Sequence, residues 1–317
     1  MSPEISVIIC THNPRIDYLI TVLDALRSQT LAFTHWELLV IDNASQQSLA
    51  TLLDLTWHPQ ARIVYEKQLG LTNARLRGYQ ESQGNLLVYV DDDNVLDSRY
   101  LAHVSQIFAE YGGLGAIAGR SVPQFEREPA PWIQEFSTIL ALRDFGDAPL
   151  ICSERLGNVM HQPYPEFAPA GIGLSLRRQA FLSYVQRASS DRTHLSFGRT
   201  GKQLTSGEDN DIILTLLNAG WDVGYFPQLQ LTHLIPETRL QQGYLARLNR
   251  ATCCSWVQVL AVHGIQIWQA IAPWTVLPRQ IKAFITYQAW KDAASYIRWR
   301  GACGTFEGLA KLHRRMA

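Results

Sequence analysis

Three carboxylates in a row, Asp91, Asp92 and Asp93, follow the apolar run Leu86 to Val90. Like charges at that spacing raise one another's pKa, so the cluster needs something positive beside it. Strand geometry would put Asp91 and Asp93 on one side for as long as the extended conformation persists. Hard carboxylate oxygens so arranged suit Mg2+ or Mn2+ shared with a phosphate. The plainer alternative is a solvated acidic turn capped by Asn94. Two further polar groups stand at comparable places. Asp42 ends the run Trp36 to Ile41, and Gly70-Leu71-Thr72-Asn73-Ala74-Arg75 opens a helix with glycine, polar residues and a guanidinium. Helix N-termini carrying Arg favour anionic ligands. Ser206-Gly207-Glu208-Asp209-Asn210-Asp211 puts three acids at the start of another apolar helix. Complementing the helix dipole accounts for one or two of them, and less well for three.

The elements that must carry these groups alternate in type. Ile5–Cys10, Trp36–Ile41, Ala61–Tyr65 and Leu86–Val90 are short β-branched or apolar runs, and helical spacing fills Tyr18–Ser28 and Leu69–Ser82. Strands that are apolar nearly throughout, separated by helices, predict an α/β fold with a mostly parallel central sheet covered on both faces. Ligands in such folds bind outside the carboxyl ends of the strands, where Thr11-His12-Asn13-Pro14 also lies. Seven of the fourteen prolines fall in 123–169, which predicts a long irregular excursion. Its aromatic residues Trp132, Phe136, Phe145, Tyr164 and Phe167 suit stacking on sugar rings, or serve equally as core for an insertion. Order returns at Ala170–Ser175 and in a helix from Glu208 to Ala219 closed by Gly220. The run Gly224–Leu231 reads as a strand ended by His233.

Beyond residue 240 the chain reads as helical. No Asp, Glu, Lys or Arg occurs between Ala251 and Pro278, a length that raises a membrane span. Helical placement gathers Thr252, Ser255, Gln258, His263, Gln266 and Gln269 into one arc of roughly 140°, which predicts a half-buried helix instead. From Arg279 onward eight Lys or Arg face two acids, and five of the nine Trp lie past residue 250. That composition fits a surface lying on anionic lipid, or a helical subdomain packed on the sheet with its cations in water.

Composition bounds the rest. Of 317 residues 47% are hydrophobic and 18% charged, enough to bury a core and too apolar for a disordered chain. Lys plus Arg equals Asp plus Glu, so no global field recruits nucleic acid. Five cysteines without a C-x-x-C spacing, and an N-terminus with an acid and no long apolar core, predict a reduced cytoplasmic protein that is not exported.

Six segments in one order resemble the family 2 inverting glycosyltransferases of the GT-A fold, over about residues 4–240: Ser6–Asn13, Val40–Ser45, Gly70–Arg75, Val90–Asp93, Ala170–Arg178 and Gly207–Asp209. The resemblance implies a GT-A domain over 1–240, with an insertion for the acceptor at about 120–170, and a helical, basic, Trp-rich region over 241–317. It implies a nucleoside diphosphate sugar as donor, a UDP-sugar by preference, held by Thr11, Asn13, Asp42, Asn73, Arg75, Asp91 and Asp92. It implies Mn2+ or Mg2+ on Asp93 and Asp91, with His233 either completing the shell or purely structural. Asp209 is the candidate base, Glu208 its competitor and Asp211 a cap, while Gly171, Gly173 and Trp132 lie by acceptor or donor sugar. His12 and Pro14 depart from the family's opening motif, so their contacts do not carry over. Gln241–Arg247 lacks the Trp of the processive synthases' Gln-x-x-Arg-Trp motif, and the chain lacks their spans. One sugar per encounter follows, on a polysaccharide or lipid-linked glycan acceptor. A sugar-1-phosphate nucleotidyltransferase would want a glycine-rich basic loop in place of Thr11–Asp17. A non-catalytic nucleotide- or glycan-binding subunit would lack one of the acidic motifs, and both are present.

Overall fold

A computed structural model describes residues 2–153, 164–201 and 203–316, with side chains as far as 313. Residues 154–163 of the proline-rich stretch, including Pro163, lie outside the described residues, as do the side chains of Arg314 and Arg315. The apolar runs form strands β1 (Ile5–Thr11), β2 (Trp36–Asp42), β3 (Ala61–Tyr65) and β4 (Leu86–Val90). They are followed by β5 (Asn94–Leu96), β6 (Leu114–Ala118), β7 (Ser121–Phe125), β8 (Leu150–Cys152), β9 (Ser175–Arg177), β10 (Asp222–Tyr225) and β11 (Leu231–Ile235). An eight-stranded sheet runs β3-β2-β1-β4-β9-β6-β10-β8, and a three-stranded sheet runs β5-β11-β7. β1 pairs in parallel with both β2 and β4, β2 with β3, and β6 with β10; β9 and β8 pair antiparallel with their neighbours.

Every residue of β1, β2 and β4 is buried, as expected where helices cover both faces. Helices α1 (Ile16–Arg27), α2 (Leu71–Glu81), α3 (Tyr100–Glu110), α4 (Arg178–Ser190) and α5 (Glu208–Asn218) supply the cover. α6 (Gln242–Val262), α7 (Val276–Thr286) and α8 (Ala293–Met316) close the chain. No helix of the described residues is long and apolar enough to cross a membrane.

Three expectations are corrected. The uncharged stretch 251–278 is not one helix: α6 ends at Val262, His263 follows, and Gly264 turns the backbone to φ +74°. The proline-rich stretch is more regular than its composition predicts, since β7 runs into it and the helical turns Pro131–Leu140 and β8 fall within it. Its Trp132 packs edge-on against Phe136, ring centroids 6.3 Å apart, in a cluster shared with α6 and α8. Finally, Gly224–Leu231 is not continuous: β10 and β11 are separate strands, and His233 sits within β11, in register with Asn94 of β5.

Candidate active site

Because β1, β2 and β4 run in parallel, their carboxyl ends share one edge, and α2 and α5 begin beside it. There the chain encloses a cavity of about 800 Å3 whose walls include Thr11, Arg75, Asp91, Asp93, Glu208 and Asp209. The strand stops at Val90, so strand alternation does not govern the three aspartates. They occupy the turn into β5, closed by the Asn94 N–H donating to the Asp91 carbonyl at 3.1 Å, and each carboxylate goes its own way. Asp91 opens on the cavity with Oδ1 3.9 Å from Arg75 Nη2. Asp92 accepts from the Thr11 hydroxyl. Asp93 is buried against Arg239 Nη1 at 2.9 Å and His233 Nε2 at 3.5 Å. Burial and the adjacent Asp93 push the Asp92 carboxyl up. Burial would raise Asp93 as well, but Arg239 and His233 outweigh it and hold that carboxyl below the usual range.

Across the cavity α2 and α5 meet through a buried ion pair. Arg75 Nη1 lies 3.4 Å from Glu208 Oε2, and both side chains are 3% exposed. Arg75 Nη2 also donates to the Gly171 carbonyl at 3.2 Å, and the Gly171 N–H donates to Asp209 Oδ2 at 3.0 Å. A Cβ on residue 171 would stand 3.0 Å from Arg75 Nη2, so a side chain there would crowd the guanidinium. Asp209 Oδ1 accepts from the N–H of Asn210 at 2.9 Å, which fixes the carboxylate at the helix start while leaving it on the cavity wall. The expectation that Asp211 is a cap is corrected. Its Oδ2 lies 2.6 Å from His194 Nδ1 and its Oδ1 2.8 Å from His263 Nε2, so it ties α5 to the end of α6.

Burial, only partly offset by Arg75, pushes Glu208 up to about 7 from its ordinary 4.5. The unfolded chain therefore ionises this carboxyl first. Wild-type stability, relative to a Glu208→Gln variant that cannot ionise, should fall as pH rises from about 4.5 to about 7 and then level off. The full difference is about 3 kcal/mol at most. Urea unfolding of both proteins at steps across that range measures it, and a pH-independent difference would show that Glu208 is not held protonated.

Of the other expected site residues, Thr11, Asp92, His233 and Gly171 line the cavity, while Asn13, Asp42, Asn73, Gly173 and Trp132 do not. Asp42 is buried and accepts from the N–H groups of Ser45 at 3.0 Å and Leu49 at 3.4 Å, shaping the loop after β2. Asn13 is exposed, with Oδ1 accepting from Gln46 N–H at 2.8 Å. Asn73 donates back to the Leu69 carbonyl at 3.3 Å. Gly173 turns with φ +61°, and its carbonyl accepts from the Tyr100 hydroxyl at 2.6 Å. Phe145 and Tyr164 reach the cavity, Tyr164 edge-on to Trp256 with centroids 5.3 Å apart.

Sequence reasoning missed Asn43, Arg199, Arg239 and Tyr244, which also line it. Asn43 follows Asp42 directly and bridges β2 to α2: its Oδ1 accepts from Gly70 N–H at 2.8 Å. The signal for Arg239 was its place in His233-Leu234-Ile235-Pro236-Glu237-Thr238-Arg239, where one turn brings the guanidinium back on Asp93.

The donor types for a divalent cation are present, but their arrangement does not fit one. Among the described residues no three His, Cys, Asp or Glu side chains converge to hold a metal ion. Asp93 is already neutralised by Arg239, whose Nη1 also stands 3.3 Å from His233 Nε2. His233 Nδ1 is buried with no hydrogen-bond partner. As placed, Asp93 and His233 gather on the Arg239 guanidinium, and Asp91 faces Arg75 instead.

Residues 6–162 match the family described as Glycosyl transferase family 2. They belong to that family. No curated protein matched the chain in sequence. Among solved structures, residues 1–349 of S. aureus TarS in complex with UDP-GlcNAc superimpose with a TM-score of 0.53 at 10% identity, over 100% of this chain and 92% of that one. The same protein with UDP gives 0.50 at 12% identity, again over 100% and 92%. GalNAc-T7 with UDP, GalNAc and Mn2+ gives 0.53 at 16% identity, over 98% of this chain but 56% of that one. At such identities the likeness establishes the fold, which is of the GT-A type.

Proposed function

We propose that this family 2 chain is an inverting glycosyltransferase that moves one sugar from a nucleoside diphosphate sugar, UDP-linked by preference, to an acceptor hydroxyl. One observation carries the reading: a carboxylate on the wall, Asp209, shares a single cavity with the guanidiniums of Arg75 and Arg239. The TarS complexes with UDP and UDP-GlcNAc support the choice of donor. In this reading the acceptor O–H gives its proton to Asp209 as its oxygen bonds to the anomeric carbon. The bond from that carbon to the diphosphate oxygen breaks, and its electron pair leaves with the diphosphate. The attacking hydroxyl and the leaving group occupy opposite sides of the carbon, which inverts it. Charge developing on the diphosphate is met by fixed cations in a largely buried site, where such interactions are strongest. Thr11 and Asp92 on the wall would position the ribose or phosphates.

Residues 1–240 form the catalytic part in this proposal. The turns Pro131–Leu140, Phe145 and Tyr164 shape the acceptor side, and 241–317 serve as an accessory region. The acceptor class is a polysaccharide or lipid-linked glycan, extended once per encounter in the cytoplasm.

Mn2+ or Mg2+ would enter only by displacing Arg239 from Asp93. Thermal shifts with UDP, GDP, dTDP and CMP, each in EDTA or in Mn2+, therefore test donor and cofactor together. UDP at about 100 times its Kd should stabilise the protein by ~2.7 kcal/mol in EDTA, and Arg239→Ala should remove most of that gain. A UDP shift that appears only with Mn2+ would instead assign Asp93 and His233 to a metal. No shift with any nucleotide would overturn the donor reading.

A further inference from the structure

The helix α7 packs by one face only. Ala283 is buried, the Gln280 carbonyl accepts from Trp299 Nε1 at 3.0 Å, and Gln280 Nε2 donates to Glu307 Oε1 at 3.0 Å. Phe284 sets its ring edge-on to Trp299, centroids 5.1 Å apart. All of these contacts anchor α7 to α8. The opposite face has nothing on it: Leu277 is 65% exposed, Ile281 55% and Ile285 61%. Their four-residue spacing stacks them into one stripe along the helix. Trp274 in the preceding turn is 77% exposed, and Trp290 in the following loop is 63% exposed. Large apolar side chains scattered singly on a surface need no explanation, whereas a contiguous stripe with a Trp at either end does.

The charges beside the stripe say what covers it. Helical steps put Lys282 on the flank of the stripe and Arg279 farther round the helix, both exposed, and Lys291 follows Trp290. Among the described residues no carboxylate pairs with any of the three. The nearby acid, Asp292, is exposed and accepts from Ser295 N–H at 2.7 Å at the start of α8. Lysine is depleted where proteins meet proteins. An apolar stripe edged by Lys and bounded by Trp suits the boundary between acyl chains and anionic headgroups.

We propose that α7, with Trp274 and Trp290, docks the protein flat on an anionic lipid bilayer. The Leu277, Ile281 and Ile285 side chains enter the headgroup–acyl boundary, and Arg279, Lys282 and Lys291 lie on the lipid phosphates. This surface is remote in the chain from the acidic motifs, and docking does not depend on the transferase reading: a catalytically inert chain would bind the same vesicles.

Vesicle co-sedimentation of the full chain tests it. The wild type should pellet with vesicles of phosphatidylcholine containing about a third phosphatidylglycerol, and remain in solution with phosphatidylcholine alone. Raising salt from about 0.1 M to about 1 M should release it. Ile281→Glu/Ile285→Glu should weaken binding by ~10-fold or more, and Arg279→Glu/Lys282→Glu should abolish the preference for the anionic lipid. Both doubles should keep the wild-type circular dichroism and melting temperature, because the altered side chains are exposed. A wild type that ignores anionic vesicles overturns the proposal, as do doubles that bind like the wild type. A wild-type dimer split by the isoleucine double, without vesicle binding, would give the face to a second copy of the chain and overturn it equally.

Discussion

Replacing Asp209 by Asn is expected to lower kcat by ~1,000-fold, within the range that removal of a general base costs, while nucleotide affinity stays close to that of the wild type. Asn keeps the shape, and its side-chain oxygen can still accept the Gly171 N–H that Asp209 Oδ2 receives at 3.0 Å. What the amide cannot do is take a proton from an attacking hydroxyl. Initial rates of sugar transfer, read beside UDP thermal shifts on the same preparations, separate lost chemistry from lost binding. Near-normal turnover would remove Asp209 as the base and pass the role to Glu208. A Glu208→Gln control tells the two apart, because that carboxyl is buried against Arg75 and not held by Gly171.

The second large effect falls on Arg75. Substitution by Met retains most of the side chain's volume but removes the cation that pairs with Glu208, and with it the hydrogen bond to the Gly171 carbonyl. Breaking a buried pair by deleting one partner costs about 3–5 kcal/mol. Here the lower end applies at neutral pH. Glu208 already titrates near 7, and without Arg75 it stays protonated and escapes the penalty of a buried lone charge. The stability loss should thus grow as pH rises above 7, and UDP binding should fail at every pH. Denaturant unfolding at two pH values reads both effects. A variant as stable as the wild type that still binds UDP would show that the pair contributes to neither.

Much of the fold was legible in short stretches of chain. β1, β2 and β4 announce themselves because strands covered on both faces are apolar at most positions, a pattern visible within five to seven residues. α2 and α5 were equally plain, each opening on glycine with polar residues where the helix N-terminus leaves N–H groups unsatisfied. That Thr11 and Asp91 share one edge followed from parallel topology, which gathers strand ends, and the family resemblance added Arg75, Glu208 and Asp209.

The tertiary structure decided what each charge does. Sequence periodicity cannot say that the strand stops at Val90, so it could not foresee three aspartates facing three different partners. The family resemblance put Asp42 and Asn73 on the nucleotide; in the fold both bond neighbouring backbone, and Asn43 and Arg239 also line the cavity. The sequence called for a metal because acidic side chains in series need a cation. Arg239 meets that need from 146 residues away in the chain. The same holds for Asp211, which is hydrogen-bonded to His194 from before α5 and to His263 just after α6. Local sequence determines conformation because turns, caps and apolar periods act over a few residues. Which opposite charge compensates a buried carboxylate depends on which distant segments the fold brings within a few ångströms, and only the packed chain fixes that.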